Sequence, residues 1–377
     1  MSDLELFVTC SQLLEPILAN ELKELGFEGI QLGYRGVSVP FRSMEDIYKI
    51  NYCSRIAGRV LLPIKRFRCS GTRDLYHFAS KIDWRKLMSL DTTFAIDANV
   101  THRELRNSLY AAQIVKDALC DQFMEATGKR PSVDTKNPKV QINLFIRDQT
   151  GIISLDTSGQ PLHKRGYRIE SGEAPIQENL AAALIDIAQY NGNEILLDPC
   201  CGSGTILIEA ALKATKTPPG FLRREWGFAQ MPEYKVEEWL KVKNEADKNK
   251  KPLSSDKIFG CDKSKDSIRI CKSNLKAAGF PQVEVIQYDF RDFTPRILPN
   301  LIITNPPHGI RLETTDPLRT LYRALGDFMK NRTQKPARGF VFTGNMELTK
   351  EVGLASKRRH EMSSGGVECR LLEYDIF

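Results

Sequence analysis

The chain has 377 residues, 41% of them apolar and 27% charged, with a formal charge of +7. This exceeds one ordinary core and predicts two or three globular domains. No apolar run approaches the roughly 20 residues that span a bilayer. The acidic start "MSDLELF" lacks the basic-then-apolar pattern of a secretory signal. Nine scattered cysteines without a C-x-x-C pair predict reduced thiols of a cytoplasmic protein, with no metal site and no bridges. The modest positive charge permits a nucleic-acid partner without establishing one.

In chain order, "LELFVTC" has a strand pattern. "LLEPILANELKELGF" carries apolar residues at helical spacing and stops at Gly26. "IQLGYRGVSVPF" reads as a hairpin, and "SMEDIYKINYCSR" as a helix with a Ser cap and Glu45 and Asp46 in its first turn. "AGRVLLPIKRF" is a strand with a basic end. Residues 1–66 thus form a small α+β unit. A second unit, 67–160, follows: a helix over "RDLYHFASKIDWRKLM", the strand "TTFAIDANV", a long helix stopped by Gly128, and two strands in "KVQINLFIRDQTGIISLDTSG". "QPLHKRGYRIESGEAP" has no periodicity, and residues 161–174 are read as a linker.

From 175 to 377 short apolar runs alternate mostly with helical segments, the pattern of a doubly wound α/β sheet. "EILLDP", "KIFGCD", "VEVIQYD" and "LIITNPP" lead to the polar residues Asp198, Asp262, Asp289 and Asn305. Ligands of such sheets bind outside these strand tips. A long insertion lies between Lys213 and Lys257, and a hairpin around Gly365 and Gly366 supplies an antiparallel edge.

"LLDPCCGSGTILIEAA" reads as strand, Gly-rich turn and helix. Gly202 and Gly204 let the backbone pass close to a ligand at the helix start. Leu207 stands where a dinucleotide fold wants its third glycine, and the Gly-Lys-Ser/Thr of a P-loop is missing. Asp198 would repel a pyrophosphate and suits a cationic amino or sulfonium group. Asp262 is placed for ribose hydroxyls and Asp289 for an adenine amine. Together these features predict S-adenosylmethionine, with Cys200, Thr205, Lys263, Phe290 and Asn305 completing the candidate set. An ordinary role for any one Asp is a helix cap.

With Asn-Pro-Pro after the fourth strand, the chain resembles the Rossmann-fold amino-methyltransferases. Over nearly its whole length it is similar to the bacterial THUMP-domain 23S ribosomal RNA guanine-N2 methyltransferases, often labelled N6-adenine-specific DNA methylases. The segments that carry the resemblance are "LFVTC", "RPSVDTKNPKVQINLFI", "LDTSGQPLHKRGYR", "GEAPIQENLAAALI", "LLDPCCGSGTILIEAA", "TNPPHGIRL" and "VECRLLEY". It implies an α/β fold: a Rossmann-like class I methyltransferase domain preceded by ferredoxin-like and THUMP α+β domains, the THUMP domain binding RNA. It also implies that the helix start at Glu178 and Asn179 closes over the methionine part of the cofactor. The tetrapeptide departs from the family, with His308 in place of Tyr or Phe. Some ribosomal enzymes carry a second methyltransferase domain, which is not expected here.

An exocyclic purine amine is a poor nucleophile and must be oriented. Asn305 Oδ1 can accept one N–H and the Pro306 carbonyl the other. Pro306 and Pro307 stiffen the corner, and the His308 ring can stack on a base taken out of its duplex. Lys164, Arg165 and Arg168 of "HKRGYR" are candidate phosphate contacts; a solvated linker is the ordinary alternative. The expected activity is methyl transfer to guanine N2 in 23S ribosomal RNA. Adenine N6, a transfer-RNA guanine and a non-catalytic ribosome-assembly factor are the rivals, and monomer and homodimer both stay open. A dehydrogenase is disfavoured by Leu207.

Overall fold

The computed structural model describes residues 4–170, 172, 175–309 and 315–377. Residues 171, 173 and 174 of the expected linker, and Ile310, Arg311 and Leu312 of "TNPPHGIRL", lie outside the described residues.

Strands β1 (Glu5–Thr9), β2 (Gln31–Gly33), β3 (Gly36–Pro40), β4 (Arg59–Arg68), β5 (Phe94–Thr101), β6 (Val140–Arg147) and β7 (Thr150–Asp156) make one seven-stranded sheet in the order β2-β3-β1-β4-β7-β6-β5. The expected boundary between residues 66 and 67 falls inside β4, which pairs with β1 on one side and β7 on the other. Helices α1 (Glu15–Glu24), α2 (Met44–Cys53), α3 (Thr72–Ser80), α4 (Trp84–Leu87) and α5 (Ser108–Thr127) belong to this half. The continuous helix expected over 73–88 is two, separated around Asp83. Side chains alternate along the strands. Leu6, Val8, Ile142, Leu144 and Ile146 join the helices' apolar residues in one core cluster. Phe7, Phe145 and Ile152 point to the opposite face, are half-buried and take no part in that cluster.

The second half contains α6 (Glu178–Ile187), β8 (Leu196–Asp198), α7 (Thr205–Ala214), α8 (Val236–Asp247), β9 (Ile258–Asp262), α9 (Lys265–Ala277), β10 (Glu284–Gln287), β11 (Leu301–Thr304), α10 (Asp316–Asn331), β12 (Ala337–Thr343), β13 (Arg358–Ser364) and β14 (Val367–Ile376). The sheet order is β10-β9-β8-β11-β12-β14-β13. The first five are parallel and β14 runs antiparallel between β12 and β13. The order reverses between β8 and β11, so the crevice for a ligand opens at the C-terminal ends of those two strands.

The halves share one core. The cluster around Leu6 and Ile142 continues through Leu180, Leu207 and Phe340, while Ile302, Tyr322, Phe328 and Leu372 form a second cluster. The insertion docks on α2 through aromatic rings: Tyr48 lies 4.9 Å from Phe228, and Tyr52 lies 5.4 Å from Trp239. The Tyr52 hydroxyl donates to Asp247 (2.8 Å). Among the described residues, no helix is long and apolar enough to cross a membrane.

Candidate active site

Asp198 ends β8, and its Oδ1 accepts from the Thr304 hydroxyl at the end of β11 (2.7 Å) and from the Cys200 N–H (3.0 Å). One carboxylate therefore bridges the switch point. Asp198 is 1% exposed. Burial pushes its carboxyl up to about 7 against the lowering pull of these hydrogen bonds. Thr304 was not recognisable beforehand, because a Thr within an apolar run reads as a β-former.

The Gly-rich loop leaves Asp198 and turns into α7. Gly202 and Gly204 have φ of +51° and +82°, a region costly for other residues. A Cβ at Gly202 would meet nothing within 4 Å, whereas one at Gly204 would strike Cys271 Sγ at 2.5 Å. Gly202 therefore faces open space and Gly204 packs on α9. The Gly202 N–H donates to Asp262 Oδ2 (3.0 Å), and Asp262 Oδ1 accepts from the Ser264 N–H (2.9 Å). The close helix–strand approach that a third glycine provides elsewhere is inverted: Leu207 projects from α7 onto Gly260 of β9, where a Cβ would sit 2.5 Å from Leu207 Cδ1. Burial, with Asp198 and Asp262 nearby, raises the Cys200 thiol, which keeps it un-ionised and unsuited to nucleophilic attack. Thr205 is buried at the first position of α7, and Lys263 is exposed beside Asp262.

Asn305 follows β11 directly. Its Oδ1 is buried and has no hydrogen-bond partner among the described residues. Such an atom carries a desolvation cost that a ligand N–H relieves. Pro306 is buried and Pro307 exposed. His308 Nδ1 lies 3.4 Å from the Pro306 carbonyl, so the ring folds back over the corner. Asn345, beyond β12, pins the corner by donating Nδ2 to the His308 carbonyl (3.4 Å). Asn345 gave no motif signal.

The remaining expected residues are distributed differently. Both oxygens of Asp289 accept from Arg291, at 2.9 Å to Nε and 2.5 Å to Nη2, and these bonds lower its carboxyl pKa. Asp289 also lies beyond β10 rather than at its tip. The Phe290 ring is a correction: it is 3% exposed and packs edge-on against Phe328 in the second core, so it offers a ligand no face. Asn179 is buried: its Nδ2 reaches the Ile56 carbonyl of the N-terminal half (3.4 Å), while its Oδ1, like that of Asn305, has no hydrogen-bond partner among the described residues. Glu178 is 5% exposed and held by Arg168 (2.8 Å).

Two of the three expected phosphate contacts are also corrected. Arg165 is 2% exposed. It donates to the carbonyls of Leu162 and Arg55 and lies 3.6 Å from the buried Glu209. Arg168 donates inward to Glu178, Ser203, Thr205 and the Ile176 carbonyl. Only Lys164 of the three is exposed. A basic run read from sequence does not distinguish a surface from a seam.

Three family profiles match: a ferredoxin-like domain of the RlmL type over residues 5–61, a THUMP domain over 70–156, and the RMKL-like methyltransferase domain over 165–373, more than half of the chain. The ribosomal RNA large subunit methyltransferase K/L of Syntrophotalea carbinolica is 36% identical across 99% of this chain and 54% of its own length. The chain thus spans about half the length of such curated relatives. A candidate RNA methyltransferase of Synechocystis is 34% identical over 98% of this chain and 96% of its own. A solved candidate methyltransferase complexed with SAH superposes with a TM-score of 0.88 at 26% identity, covering 100% of this chain and 99% of that one. The chain belongs to the RMKL-like methyltransferase family, with a THUMP domain and an RlmL-type ferredoxin-like domain joined ahead of it.

Proposed function

We propose that this protein uses S-adenosylmethionine to methylate the N2 amine of a guanine in 23S ribosomal RNA. The observation that carries the reading is Asn305 Oδ1, a buried acceptor without a partner among the described residues, at the tip of β11 beside the sheet's switch point. The relatives' names, which specify large-subunit ribosomal RNA, support the substrate.

The site fits the cofactor. Gly202 leaves open space beside the loop, Asp262 stands next to it, and Asp198 lies buried behind it. When bound, S-adenosylmethionine supplies an activated methyl group on a sulfonium, so the protein need not generate an electrophile. Asp262 offers acceptors to ribose hydroxyls. Asn305 Oδ1 takes one N–H of the incoming amine and aims the nitrogen lone pair, and the Pro306 carbonyl is placed for the other N–H once the His308 ring swings off it. Orientation of this kind contributes most where the transferred group is already activated. The amine proton leaves to water after transfer, and no strong base is needed.

RNA docking is assigned to the N-terminal half. The exposed Arg66, Arg68 and Arg147 lie at registered positions on the sheet face opposite the main apolar cluster, with the Arg147 guanidinium 4.3 Å above the Tyr34 ring. Cations interleaved with aromatic rings suit a single-stranded or splayed RNA. The division at 160/161, with a linker to 174 and a catalytic domain from 175, is part of this proposal.

Nucleoside mass mapping of ribosomal RNA from a strain lacking the gene tests the reading. The expected result is loss of one N2-methylguanosine from 23S RNA. Unchanged ribosomal RNA, or loss of N6-methyladenosine instead, overturns the substrate assignment. In vitro, Asp262→Ala should weaken cofactor binding roughly ten- to a hundredfold by calorimetry.

A further inference from the structure

We infer that Arg168 is a positioning residue for the Gly-rich loop, setting cofactor affinity without contacting RNA. This deepens the methyltransferase reading and rests on it. Arg168 leaves the connector and drives its guanidinium between two helix starts. Nε donates to Glu178 Oε1 at the first position of α6 (2.8 Å). Nη1 donates to Ser203 Oγ in the loop (3.2 Å). Nη2 donates to Thr205 Oγ1, the first residue of α7 (3.0 Å), and to the Ile176 carbonyl (3.0 Å). Four acceptors on three segments are thus satisfied by one planar fork.

The same piece of connector grips the loop a second time. Asn274 of α9 donates from Nδ2 to the Ser203 carbonyl (3.1 Å) and to the Glu170 carbonyl (3.2 Å), and its Oδ1 accepts from the Ile169 N–H (3.0 Å). On the opposite side, Asp262 holds Gly202 and the Cys261 carbonyl holds the Cys201 N–H (3.0 Å). The loop is therefore clamped between β9 and residues 168–170. Only Arg meets the geometry: Lys carries a point charge with no fork and cannot span Glu178, Ser203 and Thr205 together. Its loss would also strand Glu178, whose side chain is 6% exposed, as an unpaired carboxylate.

The test is calorimetric titration of SAH into the full chain, with RNA binding and thermal melting measured in parallel. Arg168→Lys should lower SAH affinity roughly ten- to a hundredfold while turnover at saturating cofactor changes little. Thr205→Val removes one acceptor and leaves the Glu178 pair intact. It should cost severalfold, and combined with Arg168→Lys it should cost less than the product of the two. If Arg168→Lys fails to fold, Thr205→Val alone decides: unchanged SAH affinity in that variant overturns the inference. Arg168→Gln should leave RNA affinity and its salt dependence unchanged, in contrast to a phosphate contact. Wild-type SAH binding that survives unchanged in a folded Arg168→Lys overturns this inference alone. So does strict additivity with Thr205→Val, or a loss confined to RNA binding. A wild-type protein that binds no SAH overturns the methyltransferase reading and this one with it.

Discussion

The two seven-stranded sheets put their polar groups to use in different places. In the N-terminal sheet, mostly antiparallel, the helices' apolar residues cluster with one face, and the other displays Phe7, Phe145, Ile152 and arginines. In the C-terminal sheet both faces feed apolar clusters, and what remains for chemistry is the row of strand tips at the order reversal. A face offers many weak, replaceable contacts to a long polymer. A tip offers a few fixed groups to one small molecule. Substitutions at the tips should therefore act steeply and singly, and those on the face shallowly and in sum.

The steepest expected effect is at Asn305. Asn305→Ala should slow single-turnover methyl transfer roughly a hundredfold or more, by analogy with the loss of one positioned hydrogen-bonding group at a reacting centre. Cofactor affinity and melting temperature should hold. A variant that keeps most of its rate would erase the contrast between tip and face.

Asp198 should give a pH signature of about tenfold. Its carboxyl titrates near 7 because it is buried. Below that it is neutral and has no attraction for a cationic group. Above it the charge is present, so affinity for S-adenosylmethionine should rise between about pH 6 and 8, by at most about tenfold per unit. Asp198→Asn should flatten the curve. Folding runs the other way: a carboxyl raised above its ordinary value of 3.8 costs stability progressively as pH climbs from about 4 to about 7. Glu21, raised by burial to about 7, adds a slope of the same sign, so only the difference between wild type and Asp198→Asn belongs to Asp198. Parallel curves for the two proteins would refute the assignment.

The face should respond more gently. Arg66→Ala, Arg68→Ala and Arg147→Ala should each weaken RNA binding by severalfold and reduce the salt slope by about one. Cofactor affinity should stay constant in all three. If one of them abolished binding outright, the face would be a point site like the tips.

The smallest effect is expected for His308→Tyr. If the ring serves as a flat stacking surface, this variant should stay within about threefold of wild type, while His308→Ala loses a base–aromatic contact of about 1–3 kcal/mol. Equal rates for His308→Ala and wild type would remove stacking from the site.

Much of the C-terminal half was legible because its signals are local. A short apolar run, an Asp or Asn near its end and a Gly-rich turn state strand, tip and loop within a few residues. Asp198 and Asp262 are each hydrogen-bonded to the Gly-rich loop, and Asn305 follows Thr304, which donates to Asp198. The failures share the opposite property. Arg165 and Arg168 look like a solvated run until Glu209 and Glu178, distant in sequence, are brought against them. Phe290 sits beside Asp289 in sequence, but its ring turns into the second core cluster against Phe328. Thr304 matters through a partner on another strand, Asn345 through the corner that follows β11, and Leu207 is compensated by Gly260 more than fifty residues away. Chain periodicity carries no record of such pairings.

The aromatic joint between α2 and the insertion has a practical consequence. Of the chain's three tryptophans, Trp226 and Trp239 stand in that joint, with ring centroids 5.7 Å apart. Trp226 stacks on Phe228 and lies under the Arg223 guanidinium (4.8 Å), while Trp239 meets Tyr52 edge-on. Trp84 is fully buried in the THUMP-matching segment. The protein's own ultraviolet emission is therefore an optical gauge of how firmly the N-terminal half is seated on the C-terminal half. A red shift without loss of helical circular dichroism would register the joint opening while each half stays folded.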